Sequence, residues 1–132
     1  MKSDIDIKDD VYKVICHSEL HGSVNGVLSK RKRPHNSQKE DIIISVLANQ
    51  QGQKQESYVN VNVYVQDDDI NGQKEENSVR LRELCQLCLS FFEFIHGDDF
   101  RLSLDTQTVI ASEDSGEHII NNKLLYQTLN ED

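Results

Sequence analysis

Long apolar runs and paired cysteines are both missing from this chain of 132 residues. No stretch approaches the roughly 18 consecutive apolar residues that a transmembrane helix needs, so the sequence predicts no membrane span. Residues 1–6 are too acidic for a secretory signal peptide, so we expect a soluble protein that stays where it is made. Only three cysteines are present, and this odd number favours reduced thiols over a disulfide framework.

Positive charge is also scarce. The chain holds 14 lysines and arginines against 23 acids, a net charge of −9. Residues 1–40 contribute +2 and residues 41–132 contribute −11. Phosphate contacts need clustered cations, so general nucleic-acid binding is not expected. With 36% hydrophobic residues, the chain can bury one modest core, which predicts a single domain over residues 1–132.

The clearest periodic pattern lies between residues 40 and 65. Residues 58–65 alternate without a fault, with valine at 59, 61, 63 and 65, which predicts a strand with one buried face. The apolar, β-branched run at residues 42–47 is its expected partner, and the polar segment 49–55 around Gly52 is the expected turn of a long hairpin. The outward face of the second strand carries the candidate contact residues Tyr58, Asn60, Asn62 and Tyr64.

Two amphipathic helices flank this hairpin. Ser3 and Asp6 form a capping pair before a stripe of Ile7, Val11, Val14 and Ile15, and the first helix is expected to end before Gly22. Asn25-Gly26 then predicts a turn into a short strand at Val27-Leu28. The second helix is predicted from residue 77 or 78 to residue 95, with Gly97 as its C-cap, and it is expected to form the centre of the core.

Two more strands complete the expected fold. Residues 100–104 alternate and predict a strand that extends to about residue 110, followed by a turn at residues 112–116 and a strand at residues 118–129. In that last strand Ile120, Leu124 and Tyr126 share one face, and Ile119, Leu125 and Leu129 share the other. The element order α-β-β-β-α-β-β predicts an α+β two-layer sandwich: a mainly antiparallel sheet of four or five strands with two helices on one face.

Two short motifs resemble metal or redox sites. Asp67 to Gly72 begins like a calcium loop, but the twelfth position is Ser78 where a bidentate glutamate is required, so a charged loop is expected instead. Cys85 and Cys88 have C-x-x-C spacing, but they lie inside the predicted helix on its apolar stripe, and small core residues fit that position better. Cys16, His17 and His21 could offer further ligands, but nothing in the sequence brings them near Cys85. We therefore expect no cofactor and no metal.

The basic cluster Lys30-Arg31-Lys32-Arg33 before Pro34 admits two interpretations. The simpler is a solvated loop. The other is a phosphate-binding or localisation patch of a small regulatory adaptor or nucleic-acid-binding protein. An enzyme would have to use Glu40, Asp41, His35 and His118, but no phosphate loop, nucleophile elbow or metal spacing accompanies them, so we expect no enzymatic activity.

Several of these segments together resemble a known class of proteins. They are Val11-Tyr12-Lys13, Asn25-Gly26, Arg33-Pro34 with Ser37, Glu40-Asp41-Ile42 and the strand Val59-Asn60-Val61-Asn62-Val63-Tyr64-Val65. In order and type they resemble small virion proteins of tailed bacteriophages and prophages: the tail-terminator, tail-completion and head-tail joining proteins.

The resemblance implies a structural role without catalysis or cofactor. It implies a subunit of a ring, commonly a homo-hexamer, which contacts tail-tube and connector proteins and is found in the host cytoplasm during assembly and then in the virion. On this view Tyr58, Asn60, Asn62, Tyr64, Arg31 and Arg33 are subunit-interface candidates. The acidic part of the chain would line a bore that passes DNA without gripping it.

Overall fold

The computed structural model describes residues 1–50, 55–112 and 116–129, and over these ranges the chain is α+β. The helices are α1 (Asp4–Cys16), α2 (Glu19–Ser23) and α3 (Ser78–Phe91). The strands are β1 (Leu28–Ser29), β2 (Ile42–Gln50), β3 (Glu56–Gln66), β4 (Asp68–Ile70), β5 (Gln73–Glu75), β6 (Ile95–His96), β7 (Phe100–Ser112) and β8 (Glu117–Thr128).

The predicted cap of the first helix is confirmed. Ser3 Oγ accepts from the Asp6 N–H at 3.1 Å, and Asp6 Oδ2 accepts from the Ser3 N–H at 3.0 Å, which is a complete capping box. The helix ends at Cys16, earlier than Gly22, and the short α2 follows. Ser18 is the reason, because its hydroxyl donates to the Ile15 carbonyl and accepts from the His21 N–H, so it closes one helix and caps the next.

The long hairpin is confirmed as the antiparallel pair β2 and β3, in a register that places Ile42 opposite Val63 and Ile44 opposite Val61. All four valines of β3 are buried, as their alternation predicts. The predicted turn falls mostly on residues 51–54, which lie outside the described residues.

The sheet is larger than the sequence predicts, and it is mixed. Its six described strands run in the order β1-β2-β3-β8-β7-β6, so the expectation of four or five strands is wrong. β1 is parallel to β2 because the loop between them returns the chain to the same end of the sheet before the Ile42 N–H bonds to the Val27 carbonyl at 2.8 Å.

Two further elements correct the prediction after β3. The segment after Asp67 was expected to be a charged loop, but it folds into the two-stranded hairpin of β4 and β5. Its turn residues Asn71 and Gly72 both have positive φ, at 55° and 81°, the geometry that Asn-Gly favours in tight hairpins. The element order is therefore α-α-β-β-β-β-β-α-β-β-β over the described residues.

The third helix is shorter than predicted, and Gly97 is not its C-cap. α3 ends at Phe91, and Ile95 and His96 leave the helix to pair with β7. Gly97 serves the turn between β6 and β7: its N–H donates to the Phe100 carbonyl at 2.8 Å, and a Cβ at this position would lie 2.1 Å from the Phe100 ring. The close approach of backbone and ring requires glycine here.

The core lies between one face of the large sheet and the helices. Buried residues of α1, α2 and α3 form a single cluster with buried side chains of β2, β3, β7 and β8, so the sheet, more than α3 alone, is its centre. Ile120, Leu124 and Tyr126 are buried as predicted, while Ile119 and Leu125 on the opposite face of β8 are half-buried. β7 and β8 are the last two predicted strands, and the turn residues 113–115 lie outside the described residues. The helices pack on one face of the sheet, but they are three over the described residues, so the expectation of two helices is wrong: Ser18 ends α1 and caps the separate helix α2. We call the opposite side of the sheet the outer face.

Candidate functional site

The part of the outer face that carries the candidate residues is built from alternate residues of three adjacent strands, β3, β8 and β7. On β3 these are Tyr58, Asn60, Asn62 and Tyr64, all half-buried rather than fully exposed as their alternation predicted. The strand register extends each of them into a row across β8 and β7. The rows are Tyr64, Ile119 and Ile110; Asn62, Asn121 and Thr108; Asn60, Lys123 and Thr106; and Tyr58, Leu125 and Ser103.

Amide side chains occupy the middle of the outer face. Asn121 Nδ2 donates to Asn62 Oδ1 at 2.7 Å and to Asn60 Oδ1 at 3.2 Å. This arrangement uses the two carbonyl oxygens and leaves the Nδ2 groups of Asn60 and Asn62 without an acceptor among the described residues. Each amide nitrogen carries two N–H donors, so the centre of the face offers donors to a partner.

The two tyrosines at the ends of this amide cluster each carry a cation over the ring. The Lys123 ammonium lies 4.5 Å from the Tyr58 ring centroid, and the Arg33 guanidinium carbon lies 4.0 Å from that of Tyr64. Such contacts hold an aromatic ring in one orientation, which reduces the entropy lost when a partner covers it. Tyrosine and arginine are also the residues enriched at interface hot spots.

Arg33 is also the centre of a buried ion cluster at one end of the sheet. Its Nε donates to Asp41 Oδ2 and its Nη1 donates to Glu117 Oε1, both at 2.6 Å. Its Nη2 donates to the Lys39 carbonyl at 2.9 Å. Asp41 is 1% exposed and Glu117 is 5% exposed, so two nearly buried carboxylates share one guanidinium.

The partners of Asp41 complete its hydrogen bonding. Ser37 Oγ donates to Asp41 Oδ2 at 2.6 Å, and the Val27 N–H donates to Asp41 Oδ1 at 2.9 Å. Burial opposes ionisation of Asp41, but these bonds and the Arg33 guanidinium outweigh it and hold the pKa of Asp41 below its ordinary value. The same carboxylates raise the pKa of Arg33, against the effect of its burial. The Arg33-Pro34-Ser37 segment is therefore fixed to the sheet.

The rest of the basic loop divides into engaged and exposed cations. Lys30 Nζ pairs with Asp9 at 2.7 Å and lies 4.9 Å from the Tyr12 ring centroid. Arg31 and Lys32 are exposed and pair with no described acid. The interpretation of the cluster as a wholly solvated loop is therefore wrong for Lys30 and Arg33, because two of its four cations bind groups of this chain.

The structure does not gather the four candidate catalytic residues into one site. Glu40 forms a bidentate pair with Arg80, at 2.7 and 2.8 Å, and Asp41 is held by Arg33. His118 Nδ1 lies 2.6 Å from Asp67 Oδ1, and His35 is exposed. Each acid thus has its own partner, and no imidazole is within hydrogen-bond distance of Glu40 or Asp41 among the described contacts.

The two motifs that resembled metal or redox sites have other surroundings. Asp68 and Asp69 are exposed on β4, and Asp67 pairs with His118. Cys88 is buried, and burial raises the pKa of its thiol to about 12, whereas Cys85 is half-buried and its thiol pKa is raised by burial as well. Over residues 1–50, 55–112 and 116–129, no three His, Cys, Asp or Glu side chains are placed to hold a metal ion.

One polar cleft was missed by sequence reasoning. A cavity of about 260 Å³ is lined by Asp10, Lys13, Val14 and residues 97–100. At its wall Asp10 Oδ2 accepts from Lys2 Nζ and from the Tyr126 hydroxyl, each at 2.6 Å. Burial and the bond to Asp10 raise the pKa of Tyr126. Asp10 and Tyr126 lie 116 residues apart, and no local pattern indicates such a contact.

Comparisons with known proteins do not extend this picture. Protein-family models give no match to the chain, and neither do curated protein sequences. Among the described residues there is also no helix long and apolar enough to cross a membrane.

Proposed function

We propose that this chain is a non-enzymatic structural protein of a phage or prophage virion, a subunit of a ring at the head-tail junction or the tail end. The observation that carries the proposal is the outer face of the sheet. There Tyr58 and Tyr64 are held by Lys123 and Arg33, on either side of asparagines with unused N–H donors. A half-buried face that combines fixed aromatic rings, aliphatic side chains and free amide donors suits a protein partner.

The candidate catalytic residues favour the same conclusion. Glu40 and Asp41 are neutralised by Arg80 and Arg33, so neither carboxylate is available to take a proton from a substrate. Both pairs tie loops to the body of the fold. These residues therefore support the shape of the subunit, and the spare surface is contact surface.

In this role the subunit meets further copies of itself, most simply in a hexamer, and then the tail-tube and connector proteins. It would act in the bacterial cytoplasm during assembly and remain in the virion. The excess acid after residue 40 suits a bore that passes DNA without retaining it. Exposed Arg31 and Lys32 would face an acidic neighbour, because complementary charge sets orientation in an assembly.

The alternative of an adaptor or nucleic-acid-binding protein rests on the basic loop alone. Lys30 and Arg33 are already engaged with Asp9, Asp41 and Glu117, which leaves Arg31 and Lys32 as the exposed cations of the cluster. Two exposed cations on a chain of net charge −9 provide weak attraction for phosphate. The ring subunit is the better proposal.

The test is made on assembled particles. Tyr58→Ser and Tyr64→Ser are introduced together, and Arg31→Glu separately, and purified particles are inspected by electron microscopy and mass spectrometry. We expect unjoined heads and tails, or tails of irregular length, in the double variant and a weaker defect in R31E. Tyr12→Ser is the matched control, since Tyr12 lies on α1 beneath Lys30, away from the outer face. Normally joined particles from the double variant, with the protein absent from wild-type virions, would refute the proposal.

A further inference from the structure

One edge of the large sheet is open along most of β7. β6 pairs with β7 only at Leu102 and Arg101, whereas β7 continues to Ser112. No described strand lies beside β7 from Thr106 to Ala111 on the side away from β8. The edge therefore presents backbone donors and acceptors that no described strand pairs with.

The opposite edge of the sheet is open in the same way. β1 pairs with β2 only at Ile42 and Ile43, and β2 continues to Gln50. No described strand lies beside β2 from Ile44 to Ala48 on the side away from β3. The two open edges thus stand at opposite ends of one sheet.

Hydrogen bonds already present fix which backbone groups point outward. On β2 the Ile42 N–H donates to Val27 of the β1 segment, so by alternation Ile44 and Val46 also direct their N–H and C=O groups toward the open edge. On β3 the Tyr64 N–H donates to the Asp41 carbonyl, so the backbone groups of Tyr64 point toward β2. Ile119 of β8 lies opposite Tyr64, so its backbone groups point away from β3 and bond to Ile110 of β7. The N–H and C=O groups of Ile110 thus point toward β8, and those of its neighbour Val109 point toward the open edge.

The composition of both edges is unusual for a chain in which 28% of residues are charged. Residues 44–48 and 106–111 contain no charge and no proline, the two devices that most often protect an exposed edge strand. Large apolar side chains stand exposed on each: Leu47 at 57%, Val109 at 42% and Ile110 at 50%. The bulge at Asp105 leaves residues 106–111 of β7 regular, whereas the bulge at Leu47 lies within the β2 edge, whose regular part is residues 44–46.

We propose that the β7 edge of one copy pairs with the β2 edge of the next, so that the sheets of successive copies join. This inference rests on the proposed ring, because two different edges on opposite ends of a sheet give a head-to-tail contact, the type that closes rings. Copies of net charge −9 repel one another, so a contact between copies is least opposed at the two uncharged edges.

Proline substitutions test the pairing with little change to the monomer. Val109→Pro and Val46→Pro each remove an N–H that makes no described bond within the chain but would bond to a neighbouring copy. Native mass spectrometry at millimolar protein should show closed oligomers for the wild type and monomers for each variant. Val109→Ala is the matched control, because it shortens the same side chain, keeps the N–H and should retain the oligomer.

Mixing the two proline variants shows whether the β7 edge pairs with the β2 edge of another copy. In V109P the β2 edge is intact, and in V46P the β7 edge is intact, so an equimolar mixture should form dimers and nothing larger. If V46P alone forms dimers, β7 pairs with itself and the proposal is overturned. Cooperative thermal unfolding, followed by circular dichroism, identifies folded variants, and Leu47→Lys replaces V46P if the latter does not fold.

Failure here is distinguishable from failure of the proposed function. A wild-type protein that stays monomeric at millimolar concentration, or V109P oligomers equal to wild type, would overturn edge pairing. Neither result decides whether the chain belongs to a virion. Electron microscopy and mass spectrometry of purified particles test that question directly. If the wild type forms closed oligomers in solution but the Tyr58 and Tyr64 double variant gives normal particles, the edge contact stands and the proposed virion role is rejected.

Discussion

Arg33 and Asp41 form the central ion pair of the molecule: Arg33 Nε donates to Asp41 Oδ2 at 2.6 Å, with Asp41 1% exposed. The pair joins the basic loop to Asp41, the residue that precedes β2. Glu117, at the start of β8, accepts a second bond from the same guanidinium. One side chain thus connects the loop, the hairpin and the last strand.

Arg33→Ala should be strongly destabilising. It leaves the carboxylates of Asp41 and Glu117 buried without their cation, and breaking a buried pair in this way costs about 3 to 5 kcal/mol. Urea denaturation followed by circular dichroism measures the loss. Arg31→Ala is the control, because Arg31 is exposed and its replacement should change the free energy of unfolding by less than about 0.5 kcal/mol. Equal stability of the two variants would show that the cluster contributes nothing.

The same cluster predicts acid sensitivity. Hydrogen bonds and Arg33 hold the pKa of Asp41 below 3.8 in the folded state, so its contribution is fully present above that value. The contribution is lost as pH falls below about 3.8 and through the lower folded pKa, because the unfolded chain then binds the proton more readily.

This prediction is measured as the slope of unfolding free energy against pH below about 5. Asp41→Asn should flatten the slope, beside an overall loss of stability at neutral pH. Asp98→Asn, at an exposed position without a described ion pair, is the control. A D41N slope equal to that of wild type would contradict the assignment.

Local patterns sufficed for much of the fold. Perfect alternation predicted the burial of the β3 valines, and the Ser3 and Asp6 pair predicted the start of α1, because both depend on nearby residues alone. The outer-face residues came from the same alternation. What the pattern did not contain is the cation over each tyrosine, Lys123 over Tyr58 and Arg33 over Tyr64, because both cations are distant in sequence.

The errors share a cause. Phe91, Phe92 and Ile95 continue a helical stripe, yet Ile95 leaves the helix because β7 supplies a strand partner and Gly97 allows the return of the chain. Likewise, nothing near Arg33 indicates Glu117, which is 84 residues away. Tertiary contacts decided both, and a single sequence does not show them.

Gly26 should be intolerant of alanine. A Cβ at this position would lie 2.4 Å from the Glu40 carbonyl oxygen and 2.4 Å from Asp41 Oδ1, and the former belongs to backbone that cannot move aside cheaply. We expect Gly26→Ala to cost about 1 to 3 kcal/mol in denaturant unfolding.

Gly22→Ala is its matched control. Gly22 lies within α2, and a Cβ added there would meet no neighbouring group within 4 Å. Alanine at this position should therefore leave the stability of the protein unchanged or raise it by up to about 1 kcal/mol. If both substitutions had the same effect, the close packing of Gly26 against residues 40 and 41 would not be a feature of the protein in solution.

The thiols of α3 should behave as core residues. Cys88 is fully buried and burial raises the pKa of its thiol to about 12, so the thiol is protonated at pH 8 and iodoacetamide should label it only as the protein unfolds. Cys85, half-buried, should react sooner. Cys88→Ala should cost about 1 to 2 kcal/mol through lost packing and Cys85→Ala less, and the double variant should give the same particles as the wild type in the test of the proposed function. Rapid labelling of Cys88 in the native state, or one equivalent of zinc per chain in the purified protein, would show that the C-x-x-C pair is a chemical site after all.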